Sequence, residues 1–171
     1  NTEGGRCDSC GGAGYLQIGM HFMGNVEVLC EKCEGRRFND ETLGITYKNR
    51  NISGVLDLSV TEAMEFFSDQ PGILRFLKSL DSLGLGYLTL GQRSSTISGG
   101  EAQRVKLASE LARPQSAHSL YLLDEPTTGL HAADVTCLLL ALNKLIILGN
   151  TVIVIEHHLA LISAADRIID L

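Results

Sequence analysis

The spacing of hydrophobic residues changes at about residue 50 and again at about residue 96. In the first region, apolar and polar positions alternate from Ile18 to Val28, a period typical of paired β-strands. We expect the turn of this hairpin at Gly24 and Asn25. In the second region, 51–96, apolar residues recur every three or four positions, which predicts helices.

Start signals mark the helices of the middle region. Ser59 followed by Glu62 is a capping-box pattern, and Pro71 suits the first turn of a helix. The glycine-rich stretch 83–92 is predicted to be a connector. A further helix is expected at 102–112, with one small or apolar face made of Val105, Ala108, Leu111 and Ala112.

The last region alternates between strand and helix patterns. Strands are predicted at 120–123, 151–155 and 167–171, and helices at 132–148 and 158–164. The β-branched run 151–155 has the character of a strand buried within a parallel sheet. This alternation predicts an α/β fold with a parallel sheet covered by helices.

Composition limits the classes of function. The chain has 171 residues and a formal net charge of −6, so a basic surface covering the whole domain is not expected. Contact with nucleic acid would have to be local or come from other parts of a parent protein. No apolar segment is long enough for a membrane span and no signal pattern begins the chain, so we expect a cytoplasmic protein without a membrane partner. Both ends look cut, and a piece of a longer protein is expected.

Four of the five cysteines form two C-x-x-C pairs, Cys7 with Cys10 and Cys30 with Cys33. Nineteen residues separate the pairs, a spacing typical of four-cysteine zinc sites. Similar turn residues follow both pairs, which makes a weak internal repeat. His21 is a spare candidate ligand, and disulfides are the disfavoured alternative. Cys137 lies in an apolar helix and is expected to be a small buried residue.

Three short motifs carry candidate chemistry. Ser98, Gly99 and Gly100 open a helix, where free N–H groups suit an anionic phosphate, although serine and glycine are also ordinary helix caps. Asp124 and Glu125 end a predicted strand, where an aspartate can help hold Mg²⁺ and a glutamate can polarise water; a polar exit from the strand is the alternative. His157 follows strand 151–155 and can bond a terminal phosphate or simply face solvent.

In order and spacing, these motifs resemble those of ABC-type ATPases. The resemblance implies that Ser98, Gly99, Gly100 and Gln103 belong to the signature loop, which contacts ATP bound by a partner domain. It further implies that Asp124 is the Mg²⁺-linked Walker B carboxylate, Glu125 the catalytic glutamate and His157 the switch histidine. The family's phosphate loop, G-x-x-x-x-G-K-[ST], does not occur in the chain, so we expect the isolated chain to be inactive.

The cysteine pairs, and His131 where an aspartate is usual, are foreign to ABC transporters and similar to the UvrA family, the damage-sensing ATPases of bacterial nucleotide excision repair. This resemblance implies a partial ABC ATPase core with an inserted zinc module. We predict a zinc-binding module at 1–50 with ligands Cys7, Cys10, Cys30 and Cys33, a helical signature subdomain at 51–115 and the partial core at 116–171. Zinc and ATP with Mg²⁺ are the implied cofactors. The implied partners are damaged double-stranded DNA, UvrB and a second UvrA copy in a homodimer.

Alternatives remain at this level. A UvrA-like ATPase that gives self-resistance to DNA-binding drugs would carry the same motifs, and a DnaJ-like zinc module with chaperone-type binding explains the first cysteine pair but leaves the ATPase motifs unexplained. Basic residues near the cysteines are either a local DNA contact or ordinary solvated charges: Arg6, Lys32, Arg36 and Arg37.

Overall fold

The computed structural model describes residues 4–20, 23–113 and 118–170. Its contacts form two compact units, Asn1–Asp57 and Leu58–Leu171. The finer division of the chain at residues 50 and 115 stays a prediction. None of the helices within the described ranges has the length and apolar character needed to cross a membrane.

The first unit contains a β-hairpin whose turn differs from the expected one. Strands β1 (Tyr15–Met20) and β2 (Met23–Leu29) pair antiparallel, which confirms the predicted strand pair. The turn at Gly24 and Asn25 is wrong, because both residues lie inside β2 and Met20 already pairs with Met23. A glycine next to asparagine is a strong local turn signal, but cross-strand pairing fixed the register here. His21 lies outside the described residues.

Short capped elements complete this unit. They are helix α1 (Asp40–Leu43), strands β3 (Thr46–Tyr47) and β4 (Arg50–Asn51), and helix α2 (Ile52–Leu56). Lys48 and Asn49 have φ of 48° and 62°, as the two central residues of a tight hairpin turn require. The buried apolar residues among the described part of this unit are few: Cys7, Cys30, Cys33 and Leu43.

The second unit begins with four helical elements, and the predicted start signals of the first two are confirmed. They are α3 (Val60–Phe66), α4 (Pro71–Asp81), a 3-10 turn (Ser94–Thr96) and α5 (Gly99–Ala112). The capping box before α3 is confirmed, since Ser59 and Glu62 bond each other's backbone N–H. Helix α4 begins at Pro71 as expected and contacts both α3 and α5.

An α/β segment follows, with strand β5 (Leu120–Asp124), helix α6 (Ala132–Ile147), strand β6 (Thr151–Ile155) and helix α7 (Leu159–Ala164). The predicted parallel sheet is confirmed, because β5 and β6 pair in register from Leu120 with Thr151 to Asp124 with Ile155. The prediction that strand 151–155 is buried on both sides is wrong, since alternate side chains of both strands are exposed.

The strand predicted at 167–171 is also wrong. Residues 167–170 have no regular secondary structure, and Ile168 and Ile169 are exposed. An apolar run becomes a strand only when a neighbour accepts its backbone hydrogen bonds, and within the described residues the parallel sheet contains β5 and β6 alone. Residue 171 lies outside the described part.

The core of the second unit joins its helices to one side of the sheet. The connector 83–92 contributes directly, because Leu83, Leu85 and Leu88 are buried. Helix α6 supplies the largest share. The buried residues of the whole core are Leu58, Val60, Ala63, Leu77, Leu80, Leu83, Leu85, Leu88, Leu107, Ala108, Val135, Leu138, Ala141, Leu142, Leu145 and Leu161.

A buried arginine connects three parts of this core. Arg104 on α5 is only 5% exposed, and its Nη1 donates to the carbonyl of Leu83 at 3.3 Å and lies 3.9 Å from Asp134 Oδ2. Its Nε atom is buried without a partner. Gly84 has a φ of +73°, and a Cβ built on it would lie 2.7 Å from Asp134 Oδ1, so a side chain there would strain the backbone and displace Asp134.

We expect Arg104→Ala to lower the free energy of unfolding of the second unit by about 3 kcal/mol, because it opens a cavity and leaves polar groups unpaired. Urea titration of the chain measures the loss. Arg113→Ala is the matched control, because Arg113 at the end of α5 pairs with Glu110 at 2.9 Å but is 68% exposed. We expect less than about 1 kcal/mol for the control, and equal small losses would contradict a structural role for Arg104.

Candidate metal centre and strand-end site

The four cysteines predicted to be ligands converge. Their sulfur atoms all lie within 4.8 Å of one another. Cys7 and Cys30 are 4.0 Å apart at Sγ, and Cys10 and Cys33 are 3.7 Å apart. A tetrahedral zinc with Zn–S bonds of about 2.3 Å requires sulfur separations of about 3.8 Å. The site therefore fits a four-thiolate zinc ion, and all five cysteines are free thiols rather than disulfides.

Two tight turns shape this site, one after each cysteine pair. Gly14 donates its backbone N–H to Cys10 Sγ at 3.2 Å, and Glu34 donates to the carbonyl of Cys30 at 2.7 Å. Gly14 and Gly35 both have a φ of +82°. A Cβ built on Gly14 would lie 2.9 Å from the carbonyl oxygen of Gly35, so the two turns meet where no side chain fits.

The thiols differ in their readiness to ionise. A backbone hydrogen bond at Cys33 lowers the pKa of Cys30 to about 6. Burial, the largest cause, together with the neighbouring thiols raises the pKa of Cys33 to about 11. Four sulfurs packed this closely repel one another as thiolates, so full ionisation requires a cation among them. The donor set thus matches a divalent metal in charge as well as in geometry.

The basic residues near the cysteines are partly engaged. Lys32 pairs with Asp8 at 3.7 Å, with both side chains exposed. Arg36 donates from Nε to the carbonyl of Cys33 at 3.2 Å. The ion pair offsets the charge of Lys32, whereas the bond to a neutral carbonyl leaves the charge of Arg36 in place. A role of Arg36 and Arg37 in DNA contact stays a prediction.

A second candidate site lies where β5 and β6 end side by side. Asp124 is the last residue of β5, and Glu125 donates its backbone N–H to the carbonyl of Ile155 at 2.9 Å. Glu125 has a φ of +42°, an unusual backbone conformation for a residue other than glycine. Gln103 on α5 donates to the carbonyl of Asp124 at 3.2 Å. The structure thus brings together three of the predicted residues, Gln103, Asp124 and Glu125.

The turn at Ser98 is a helix cap with a closely packed glycine. Ser98 and Glu101 form a capping box, in which Glu101 Oε2 accepts from the backbone N–H of Ser98 at 2.7 Å. Helix α5 consequently starts at Gly99, earlier than the expected residue 102. A Cβ built on Gly100 would lie 2.6 Å from the carbonyl oxygen of Thr128, so the turn meets the loop after β5. The structure thus contains the helix cap, and phosphate binding by this turn stays a prediction.

His157 faces solvent in this structure. Its side chain is 82% exposed, and its Nδ1 lies 3.9 Å from Glu156 Oε2. The next residue, His158, caps helix α7 by accepting from the backbone N–H of Ala160 at 3.3 Å. The imidazole of His157 is therefore accessible to a ligand placed outside the strand ends. The switch role of His157 stays a prediction.

Comparisons with known proteins place the chain. It is 56% identical over all 171 residues to UvrABC system protein A of Methanothermobacter thermautotrophicus, and 54% identical to the proteins of that name from Staphylococcus epidermidis and Bacillus subtilis. The chain belongs to the UvrA family. It covers 18% of the length of each of these relatives. No family model matches the chain.

The crystal structure of UvrA2 from Deinococcus radiodurans has the same fold as this UvrA-family chain. The TM-score is 0.92 at 49% sequence identity, over 97% of this chain and 20% of that one. Since the match extends over 97% of this chain, the resemblance to the UvrA family stated from the sequence is confirmed. A DnaJ-like module alone would not match along the whole chain.

Sequence reasoning missed two contributors to the site of this UvrA-family chain. Tyr87 donates its hydroxyl to Glu101, and this bond is the main cause that lowers the pKa of Glu101. Glu156 was not among the predicted site residues. Both residues act through partners more than ten positions away, and no local pattern marks such contacts.

Glu156 is an ionised carboxylate with full hydrogen bonding, although its side chain is only 3% exposed. Burial raises its pKa, but hydrogen bonds from the Thr127 side chain and from the backbones of His158, Thr127 and His157 outweigh this effect and lower the pKa to about 2. Because the folded value lies below the unfolded one, its stabilisation is full at neutral pH. The stabilisation is lost as the pH falls from about 4.3 towards 2.

Proposed function

We propose that the chain is part of an ABC-type ATPase of the UvrABC repair system, in which ATP binding and hydrolysis control binding to damaged DNA and loading of a UvrB-type partner. One observation carries the proposal. Gln103, Asp124 and Glu125 meet at the carboxyl ends of two parallel strands, in a chain that is 56% identical to a UvrABC system protein A. Ligands of open α/β sheets bind at this edge.

Each residue has a distinct task at this edge. Asp124 helps to hold Mg²⁺, and Glu125 orients and polarises the attacking water. When bound, ATP would supply the scissile phosphoryl group, and Mg²⁺ would neutralise the charge on it. Gln103 fixes the end of β5 through the carbonyl of Asp124, at 3.2 Å. His157, exposed beside the strand end, donates to the terminal phosphate and reports its loss.

Ser98, Gly99 and Gly100 serve a different nucleotide. A helix N-terminus with small residues lets the backbone approach a phosphate, and we infer that this phosphate belongs to ATP held by a partner domain. The chain then contributes to two composite sites. Because it carries no phosphate loop, it completes neither site alone, and this arrangement requires both halves of the ATPase and favours a homodimer.

Zinc bound by Cys7, Cys10, Cys30 and Cys33 is structural in this proposal. A closed set of four thiolates leaves no open position for catalysis. The module instead presents its basic side chains to damaged double-stranded DNA. A cytoplasmic location accords with free thiols and with this partner.

The test uses the whole protein that contains this chain, compared with residues 1–171 alone. We expect the whole protein to hydrolyse ATP, to prefer damaged over intact duplex DNA and to bind a UvrB-type partner. Residues 1–171 alone should show no turnover, because the phosphate loop is missing. Turnover by 1–171 that Glu125→Gln abolishes would contradict the composite sites. Damage binding without a UvrB-type partner would favour the drug self-resistance alternative.

A further inference from the structure

The side chain of Glu156 joins the loop after β5 to the loop after β6. Its Oε1 accepts from the backbone N–H of Thr127 at 2.9 Å and from the Thr127 hydroxyl. Its Oε2 accepts from the backbone N–H of His157 at 2.7 Å and of His158 at 2.9 Å. Two donors from each loop therefore converge on one carboxylate.

This connection is protected from solvent. The Glu156 side chain is 3% exposed and Thr127 is buried. A buried carboxylate that loses its donors pays a large desolvation penalty, so the four bonds hold both loops in one geometry. Among the described residues, His157 is an ionisable neighbour of this carboxylate, with its Nδ1 3.9 Å from Glu156 Oε2.

The loop held by Thr127 also carries Glu125. Glu125 bonds the carbonyl of Ile155 through its own N–H, and its carbonyl accepts from the backbone N–H of Thr128 at 3.1 Å. The Thr128 hydroxyl donates to Glu125 Oε2 at 3.3 Å. The carbonyl of Thr128 in turn faces Gly100. A shift at Thr127 therefore moves Glu125 and the surface that meets the turn of α5.

We propose that Glu156 is a positioning residue of the ATPase, which fixes Glu125 through Thr127 and fixes His157 through its backbone. This inference rests on the proposed function, because it assigns the two positioned side chains their tasks in ATP hydrolysis. Glu156 itself lies under the site and contacts no reacting atom. Because Glu156 bonds both loops, a displacement of the loop after β5 also displaces the loop after β6.

Conservative variants test separately the charge of Glu156, the length of its side chain and the hydroxyl of Thr127. In Glu156→Gln the amide has a single acceptor oxygen, so at least one of the three backbone N–H donors loses its partner. Glu156→Asp keeps the charge but is one methylene too short to reach both loops. Thr127→Val removes one donor, and Thr127→Ser keeps it.

In the whole ATPase, we expect Glu156→Gln and Glu156→Asp to lower kcat about 10- to 100-fold, because a small misplacement of reacting groups has effects of this size. The KM for ATP should change by less than about threefold. Thr127→Val should lower kcat less, and Thr127→Ser should rescue it. Because Thr127 and Glu156 share one interaction, the double variant Thr127→Val with Glu156→Gln should be little worse than Glu156→Gln alone. Asp166→Asn, at an exposed carboxylate, is the charge control and should leave kcat unchanged.

Amide hydrogen exchange in the 171-residue chain gives a readout independent of turnover. Glu156→Gln should speed exchange at Thr127, His157 and His158 by at least about tenfold, with the core helices unchanged. Wild-type kcat in Glu156→Gln, a kcat loss matched by loss of folded protein, or unchanged exchange at all three amides would overturn the inference. If the wild-type protein hydrolyses no ATP, the proposed function fails, and unchanged exchange then decides separately against the connection through Glu156.

Discussion

Removal of the metal is expected to unfold the cysteine-rich part of the first unit while the second unit stays folded. The buried apolar cluster around the cysteines consists of Cys7, Cys30 and Cys33, with Cys10 partly buried against it. No aliphatic side chain belongs to that cluster among the described residues. Structural zinc contributes roughly 10 kcal/mol or more to such modules, as much as the whole stability of a typical domain.

Chelation with amide exchange as readout tests this expectation. Slow exchange of backbone N–H groups such as those of Cys7, Gly14 and Cys30 should disappear as zinc is released, and Cys30→Ser should have the same effect without chelator. Cys137→Ser is the matched control, because Cys137 lies on α6 outside the cluster, and it should retain both metal and protection. Undiminished protection after stoichiometric zinc removal would show that the module folds without its metal.

The second large effect is expected at Glu125. In the whole protein, Glu125→Gln should lower ATP turnover at least about 100-fold while ATP still binds, because the amide cannot act as the base that polarises water. The variant keeps the size of the side chain, and its amide oxygen still accepts from the Thr128 hydroxyl, which lies 3.3 Å from Glu125 Oε2. Loss of activity would therefore reflect chemistry rather than a displaced loop.

Steady-state turnover and nucleotide binding measure the two parts of this expectation. Glu65→Gln on α3 removes an exposed acid elsewhere and should leave both unchanged. If Glu125→Gln turns over ATP at the wild-type rate, Asp124 and Glu125 are only the polar exit of a strand, which is the alternative that the sequence left open.

Local signals in the sequence predicted most of the fold. The capping box at Ser59, the proline at Pro71 and the β-branched run Thr151–Ile155 each act within a few residues, and each is confirmed. Predictions that depended on a distant partner were the ones that were wrong. The turn expected at Gly24 yielded to the pairing of β1 with β2.

The candidate sites divide in the same way. Two C-x-x-C pairs indicated the metal ligands, because a four-thiolate site is recognisable from spacing alone, and the strand-end acids followed from the pattern of β5. Nothing local marked Arg104, whose contacts are with Leu83 and Asp134. The connector 83–92 likewise looked like a surface loop although its leucines are buried.

The sequence by itself determined the family, the alternation of strands and helices from β5 to α7, the two cysteine pairs and the acids at the end of β5. Only the tertiary structure decided which polar groups are buried together, with Glu156 between two loops and Arg104 on the buried face of helix α5. The physical reason is that capping, periodicity and ligand spacing are properties of neighbours in the chain. Burial and hydrogen bonding between residues 20 to 30 positions apart, such as Thr127 and Glu156, exist only once the chain has folded.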